Sequence, residues 1–261
     1  MNKSWKRSLA LIVTGLSVFA GTAIAADDGE TPPMHVSWSE AGPFGTFDRA
    51  SLQRGLLVYE NICSNCHALT HLYYRDLEGI GFTPAQVKGY AAKFMVEDGP
   101  NDDGDMFERP AKPSDHFKAP FPNEQAARAA NNGANPPDLS LVVKAREGHE
   151  NYIYSILNGF VDAPAGLELQ PGMYYNKYFE GHQIGMPPPL ADGVIDYPDG
   201  TQATVPQMAH DVTTFLAWAS EPSLEARKQM GFKVLVFMAI ITGLLYFVNK
   251  KIWKKVKAQN A

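Results

Sequence analysis

Apolar residues cluster at the two ends of the chain and recur at helical spacing between them. Residues 9–20 are mostly apolar, follow Lys3, Lys6 and Arg7, and precede Ala23-Ile24-Ala25. A basic start, a short apolar run and a small-x-small site predict a secretory signal over residues 1–25, cut after Ala25. The run is short for a bilayer span. At the other end, residues 234–248 carry no charge, and the extension to residues 231–253 gives 23 positions. At 1.5 Å per residue that is about 34 Å, enough to cross a membrane. Lys233 and the far lysines would snorkel. Five lysines between 250 and 257 place residues 254–261 on the cytoplasmic side.

Between these ends the pattern predicts short helices and long irregular stretches. Residues 31–47 hold Pro32, Pro33, Gly42, Pro43 and Gly45 around His35 and Trp38, as extended chain wrapped over a surface. Asp48 is a fitting N-cap, and Leu52, Leu56, Tyr59 and Ile62 or Cys63 then recur at helical spacing. Thr83-Pro84-Ala85-Gln86 opens a second helix, expected to end near Glu97. Further helices are expected at residues 123–132, 138–147 and 150–158, closed by Gly133, Gly148 and Gly159. Residues 159–185 are loop-rich, with Tyr174, Tyr175, Tyr178 and Phe179 to shield an apolar cofactor. Thr204 starts a last helix whose buried stripe is Met208, Val212, Phe215, Leu216 and Ala219.

Composition sharpens this picture. After the signal, residues 26–230 suffice for one domain and the remainder for an anchor. Nineteen prolines and 22 glycines agree with long irregular segments. The net charge of −5 hides a division: residues 26–230 hold 14 Lys and Arg against 28 Asp and Glu, whereas six lysines and no acids follow Met230. An acidic exported part disfavours nucleic acid and suits basic protein partners, although solubility explains part of it. Glu97, Asp98, Asp102, Asp103, Asp105 and Glu108 crowd one stretch that Gly99, Pro100 and Gly104 make a loop. Calcium-loop spacing is absent. A solvated loop and a docking patch for a basic protein both fit.

The sharpest chemistry is Cys63-Ser64-Asn65-Cys66-His67. Cys-x-x-Cys-His is the attachment pattern of a c-type haem: two thiols add to two vinyl groups, and the histidine ligates the iron. A redox dithiol needs no histidine, and a zinc site needs further ligands. Cys63 and Cys66 are the only cysteines in the chain, so no disulfide braces the domain. His71 lies close in sequence but has no further claim as a ligand. A thioether is a soft neutral sixth ligand that raises the potential. Met186, in Gly185-Met186-Pro187-Pro188-Pro189, lies on a rigid loop before the last helix and leads, with Met173 as runner-up. His67 and Met186 are 119 positions apart, more than a minimal single-haem domain needs.

These residues resemble the cytochrome c1 family of the cytochrome bc1 (quinol–cytochrome c reductase) complex, in its alphaproteobacterial form. The most specific pieces are Ala129-Ala130-Asn131-Asn132-Gly133, Asn135-Pro136-Pro137-Asp138-Leu139-Ser140, Gly185 to Pro189, and Trp218 to Pro222 through Arg227 to Gly231. The resemblance implies haem attachment at Cys63 and Cys66, axial ligation by His67 and Met186, and pairing of Arg146 with a propionate. Tyr152 matches a tyrosine near the haem.

The implied fold is mainly α: an enlarged class I cytochrome c-type domain with long loops, plus one C-terminal transmembrane helix. The implied function is one-electron transfer from an iron–sulfur (Rieske) subunit to a cytochrome c. It would take place beside a cytochrome b subunit within a dimeric complex, with the haem domain in the periplasm. Catalytic side chains of the usual kind are not expected. Other readings are a tethered carrier of another respiratory complex, a haem peroxidase and a haem sensor. The last two need an open or exchangeable sixth position.

Overall fold

A computed structural model describes residues 31–259; the expected signal segment lies outside the described residues. The domain is built on two crossing helices, α1 (Arg49–Asn61) and, much later in the chain, the last helix before the anchor (Val205–Ser220). Asp48 caps α1 by accepting from the Ala50 N–H, as expected. Leu52, Leu56, Val58 and Tyr59 are buried against Met208, Val212, Phe215 and Trp218, which make one core. The crossing is close because Gly55 has no side chain. A Cβ there would overlap the Asp211 carbonyl and come within 2.6 Å of Phe215 Cβ.

After α1 the chain makes a 3₁₀ turn (Cys63–Asn65) and a longer 3₁₀ helix (Tyr74–Ile80). Helix α2 (Pro84–Ala91) has the predicted Thr83/Gln86 capping box. It stops six residues before the expected end near Glu97. The chain instead enters strand β1 (Met95–Asp98), antiparallel to β2 (Phe107–Pro110), with Met95 opposite Pro110. Met95, within the span expected to be helical, is 39% exposed on this strand. The acidic stretch is therefore the tip of a hairpin. Asn101 Oδ1 accepts from the N–H groups of Asp103 (3.0 Å) and Asp105 (2.8 Å) and shapes that tip.

Arg109 bonds Asp98 and Asp115 together, the latter at 2.6 Å. The Arg109 hydrogen bond holds the Asp115 carboxyl at about 2. Asp199 is also held at about 2, chiefly by the Thr201 N–H and then by Arg54. A depressed carboxylate stabilises the fold above its unfolded pKa, about 3.9, and the effect is lost as pH falls through about 2. Stability should therefore fall in that acid window, and an acid titration of Asp115→Asn should show a shallower loss than the parent.

Helix α3 (Glu124–Ala130), capped by Asn123, agrees with expectation. The helix expected over residues 138–147 does not form at that length: only α4 (Val142–Ala145) is helical. Asp138 is occupied elsewhere, accepting from Thr70 and Ser140, so it does not cap. Helix α5 (His149–Asn158) follows, then strands β3 (Tyr174–Tyr175) and β4 (Gln183–Ile184), then α6 (Val205–Ser220). Residues 31–47 are the predicted strap. Val36 N–H and Trp38 Nε1 both donate to Asn151 on α5, and Trp38 stacks on His210 of α6 at 4.8 Å.

Helix α7 (Leu224–Gln259) starts earlier than the expected span. Its residues Leu224–Lys254 include an 18-residue stretch with a mean hydropathy of 2.1, and the helix is long and apolar enough to cross a membrane. Its first turns are tied to the domain. Glu225 binds Arg49 (2.7 Å) and the Phe47 N–H (2.8 Å), and Lys228 donates to the carbonyls of Glu40 and Gly45.

Candidate functional site

The last turn of α1 carries Cys63 into the motif, and backbone hydrogen bonds shape it. The Cys63 carbonyl accepts from the N–H groups of both Cys66 (3.1 Å) and His67 (2.8 Å), closing the five residues into one tight turn. Buried Tyr59, from the core stripe, donates its hydroxyl to the His67 carbonyl at 3.0 Å. Burial, followed by the neighbouring Cys66 charge, pushes the Cys63 thiol up to about 12. A redox dithiol works through a thiolate, so this environment argues against that alternative. The two cysteines are free of any disulfide. Among the described residues no group of three or more His, Cys, Asp and Glu gathers around a metal position, which leaves a zinc site without ligands.

His67 is fixed from the far side. Its Nδ1 lies 2.8 Å from the Pro137 carbonyl, which can only accept, so Nδ1 carries the hydrogen. Nε2 is left with its lone pair, which is the tautomer a metal-binding imidazole needs. Burial lowers the His67 pKa, against the Pro137 hydrogen bond that raises it, and keeps the ring neutral. Pro137 is held in turn. Leu139 N–H donates to the Ala68 carbonyl (2.9 Å), and Asp138 Oδ2 accepts from Thr70 N–H (3.0 Å) and Oγ1 (2.7 Å). Burial pushes the Asp138 carboxyl up, but its hydrogen bonds from Ser140 and Thr70 outweigh this and hold it below the usual range.

Met186 reaches the same neighbourhood from another part of the chain. It follows β4, and Gly185 beside it packs on Ala134, whose Cβ would lie 3.3 Å from a Cβ at Gly185. Residues 134–137 are therefore flanked by Gly185 at one end and His67 at the other. Met173 stays close too, its Sδ 3.8 Å from the same Gly185 position.

Arg146 ends α4 with an extended backbone and is exposed; among the described residues no carboxylate is paired with its guanidinium. Tyr152 is half-buried in the first turn of α5, packed near Gly148. A cavity of about 670 Å³ is lined by Leu157, Phe160, Leu169, Tyr175, Pro188 and Leu190 among others, with none of the predicted ligands in its lining.

Three supports were not singled out from the sequence: Tyr59, the Pro137 carbonyl and Asp138. Two consecutive prolines, Pro136-Pro137, make a rigid stretch before Asp138, but which carbonyl it aims at His67 is a tertiary fact.

Several known proteins resemble this chain along most of its length. A family model described as the Cytochrome C1 family matches residues 38–256. A cytochrome c1 of Rhodospirillum rubrum is 45% identical over 264 residues, covering 95% of this chain and 97% of the relative. A potato (Solanum tuberosum) mitochondrial cytochrome c1 heme protein is 45% identical over 249 residues, covering 95% of each. A Bradyrhizobium diazoefficiens protein called cytochrome b/c1 is 48% identical over 270 residues; the match covers 94% of this chain and 39% of that longer protein. With its Cys-x-x-Cys-His turn and matches along almost its whole length, the chain belongs to the cytochrome c1 family, whose members carry one covalently bound haem c.

Proposed function

We propose that the chain is the haem c subunit of a quinol–cytochrome c reductase (bc1) complex. It passes single electrons from the iron–sulfur (Rieske) subunit to a cytochrome c. The haem, when bound, supplies a one-electron couple. The chain supplies position and potential. Cys63 and Cys66 hold the macrocycle covalently, and His67 presents Nε2 because Pro137 fixes Nδ1. Met186 would supply the thioether that closes the remaining iron position to oxygen and peroxide. Exposed Arg146 would answer a propionate charge, for which its planar guanidinium suits a bidentate pair, and Tyr152 would line the haem. The observation that carries this reading is the Cys63–His67 turn with its imidazole oriented at 2.8 Å.

Residues 231–253 within α7 anchor the protein in the inner membrane. The haem domain, residues 26–230 after loss of the signal, faces the periplasm, and residues 254–261 face the cytoplasm. The subunit has no catalytic site of its own. Quinol chemistry belongs to the cytochrome b partner, within a dimeric complex.

An optical spectrum of the dithionite-reduced protein, before and after carbon monoxide, tests the ligation. A c-type band that carbon monoxide leaves unchanged is expected. Rapid binding of the gas would sink the six-coordinate carrier and bring forward a peroxidase or sensor. Co-purification with a cytochrome b and an iron–sulfur protein tests the complex; another set of partners would make this a carrier of a different one.

The acidic hairpin is the proposed docking face for a basic cytochrome c. Asp98 is held by Arg109, but Asp102, Asp103 and Asp105 are exposed. Changing those three to Asn should slow electron transfer to cytochrome c by about tenfold at low salt. The salt dependence should flatten as well. Unchanged stopped-flow rates would move the docking face elsewhere.

A further inference from the structure

Residues 159–186 deliver the proposed sixth ligand through a long, loop-rich stretch that no disulfide can brace. One buried polar side chain holds it instead. Asn176 is 0% exposed. Its Nδ2 donates at 2.8 Å to the Ile156 carbonyl in the last turn of α5, which also accepts from the Gly159 N–H at 3.2 Å. Its Oδ1 accepts from the Tyr178 N–H at 3.0 Å. Its backbone N–H donates to the His182 carbonyl at 3.0 Å, and its own carbonyl lies 3.2 Å from His182 Nδ1. Next to it, Lys177 N–H donates to the Gly159 carbonyl at 3.0 Å. Gly159 makes room for the amide: a Cβ there would lie 2.5 Å from Asn176 Oδ1.

These contacts close the end of the β3–β4 hairpin. Tyr174 pairs with Ile184 and Tyr175 with Gln183. Two residue pairs are too few to hold a register unaided, so the network around Asn176 sets it. Strand β4 then runs directly into Gly185 and Met186.

We propose that Asn176 is the positioning residue of the sixth ligand: its buried carboxamide ties α5 to the β3–β4 hairpin and so holds Met186 in place. This rests on Met186 being that ligand. Asn176 acts through β4. A residue that merely stabilised the fold would lower the melting temperature and leave the sixth position intact.

The test uses the full-length holoprotein in detergent. Its readouts are covalent haem content, the weak long-wavelength sulfur-to-iron band of the oxidised form, and carbon monoxide binding to the reduced form. Asn176→Ala should keep its covalent haem, because Cys63, Cys66 and His67 lie on another segment. It should lose most of the sulfur band and bind carbon monoxide about tenfold more readily than the parent, as expected for losing a buried hydrogen-bond set. Asn176→Asp adds a comparison within one chain. The protonated acid can donate to the Ile156 carbonyl and the carboxylate cannot, so the band should return as pH falls; the parent should show no such change.

Met186→Leu separates this idea from the one beneath it. A sulfur band that survives Met186→Leu refutes the ligand assignment. A band lost in Met186→Leu but unchanged in Asn176→Ala refutes the positioning role alone. If neither Asn176 variant loads haem, Asn176 is a requirement of the fold, and the positioning role also fails.

Discussion

Replacing Arg54 with Ala should destabilise the protein by about 3–5 kcal/mol, the usual cost of stranding one partner of a buried ion pair. Arg54 on α1 holds Asp211 on α6 with two bonds, Nε to Oδ2 at 2.9 Å and Nη2 to Oδ1 at 3.0 Å, and reaches Asp199 at 2.8 Å. The Asp211 side chain is 0% exposed. Without the guanidinium it keeps a hydrogen bond from Gln207 Nε2 at 3.0 Å but no cation to balance its charge among the described residues. The loss falls where Gly55 brings the two helices closest, so the crossing has no slack to absorb it. For a chain of this size the melting temperature should drop by about 6–20 °C, read by far-ultraviolet circular dichroism on the detergent-solubilised holoprotein. A drop below about 2 °C would show the pair to be incidental. The double change Arg54→Leu with Asp211→Leu should recover much of the loss, because the penalty comes from an unpaired charge. Helix α1 delivers Cys63, so haem loading should fall alongside stability in the single variant.

Met186→Leu should lower the midpoint potential by about 0.2 V, a fraction of the ~0.8 V that axial ligands command. Thioether sulfur favours the ferrous state; on the proposed ligation, leucine offers no lone pair, so the sixth position should open and carbon monoxide should bind. Met173→Leu is the matched control, since its Sδ also lies beside Gly185. It should leave the potential near its parent value. Potentiometric titration of both variants decides between the sulfurs: a large fall in Met173→Leu, with none in Met186→Leu, would exchange their roles.

Local chemistry made the helix starts legible. Asp48, Thr83-Pro84 and Thr204 each cap as the sequence predicts, because a cap is satisfied within three residues. The haem turn was legible for the same reason. What escaped depends on distant partners. Strand β1 forms because residues 107–110 come alongside, and nothing within residues 92–98 announces that. Asp138 resembles a cap by sequence, yet Thr70, from the segment after His67, competes for its carboxylate and shortens the helix. Tyr59 belonged to a correctly predicted stripe, but its hydroxyl on the His67 carbonyl required the fold. Asn176 gave no signal at all: a lone Asn in a loop carries no period, and its weight comes from complete burial.

The ties at the head of α7 govern how the domain stands. Glu225 and Lys228 grip residues 40–49, while Glu221 binds Lys144 at 2.9 Å and also Arg227. These clamps grip the joint from both sides, with no slack linker between stalk and head. On the proposed anchoring, any tilt of the stalk in a bilayer would therefore turn the whole head with it as a rigid lever. On the proposed function, the journey between donor and acceptor would fall to the partners that visit this head.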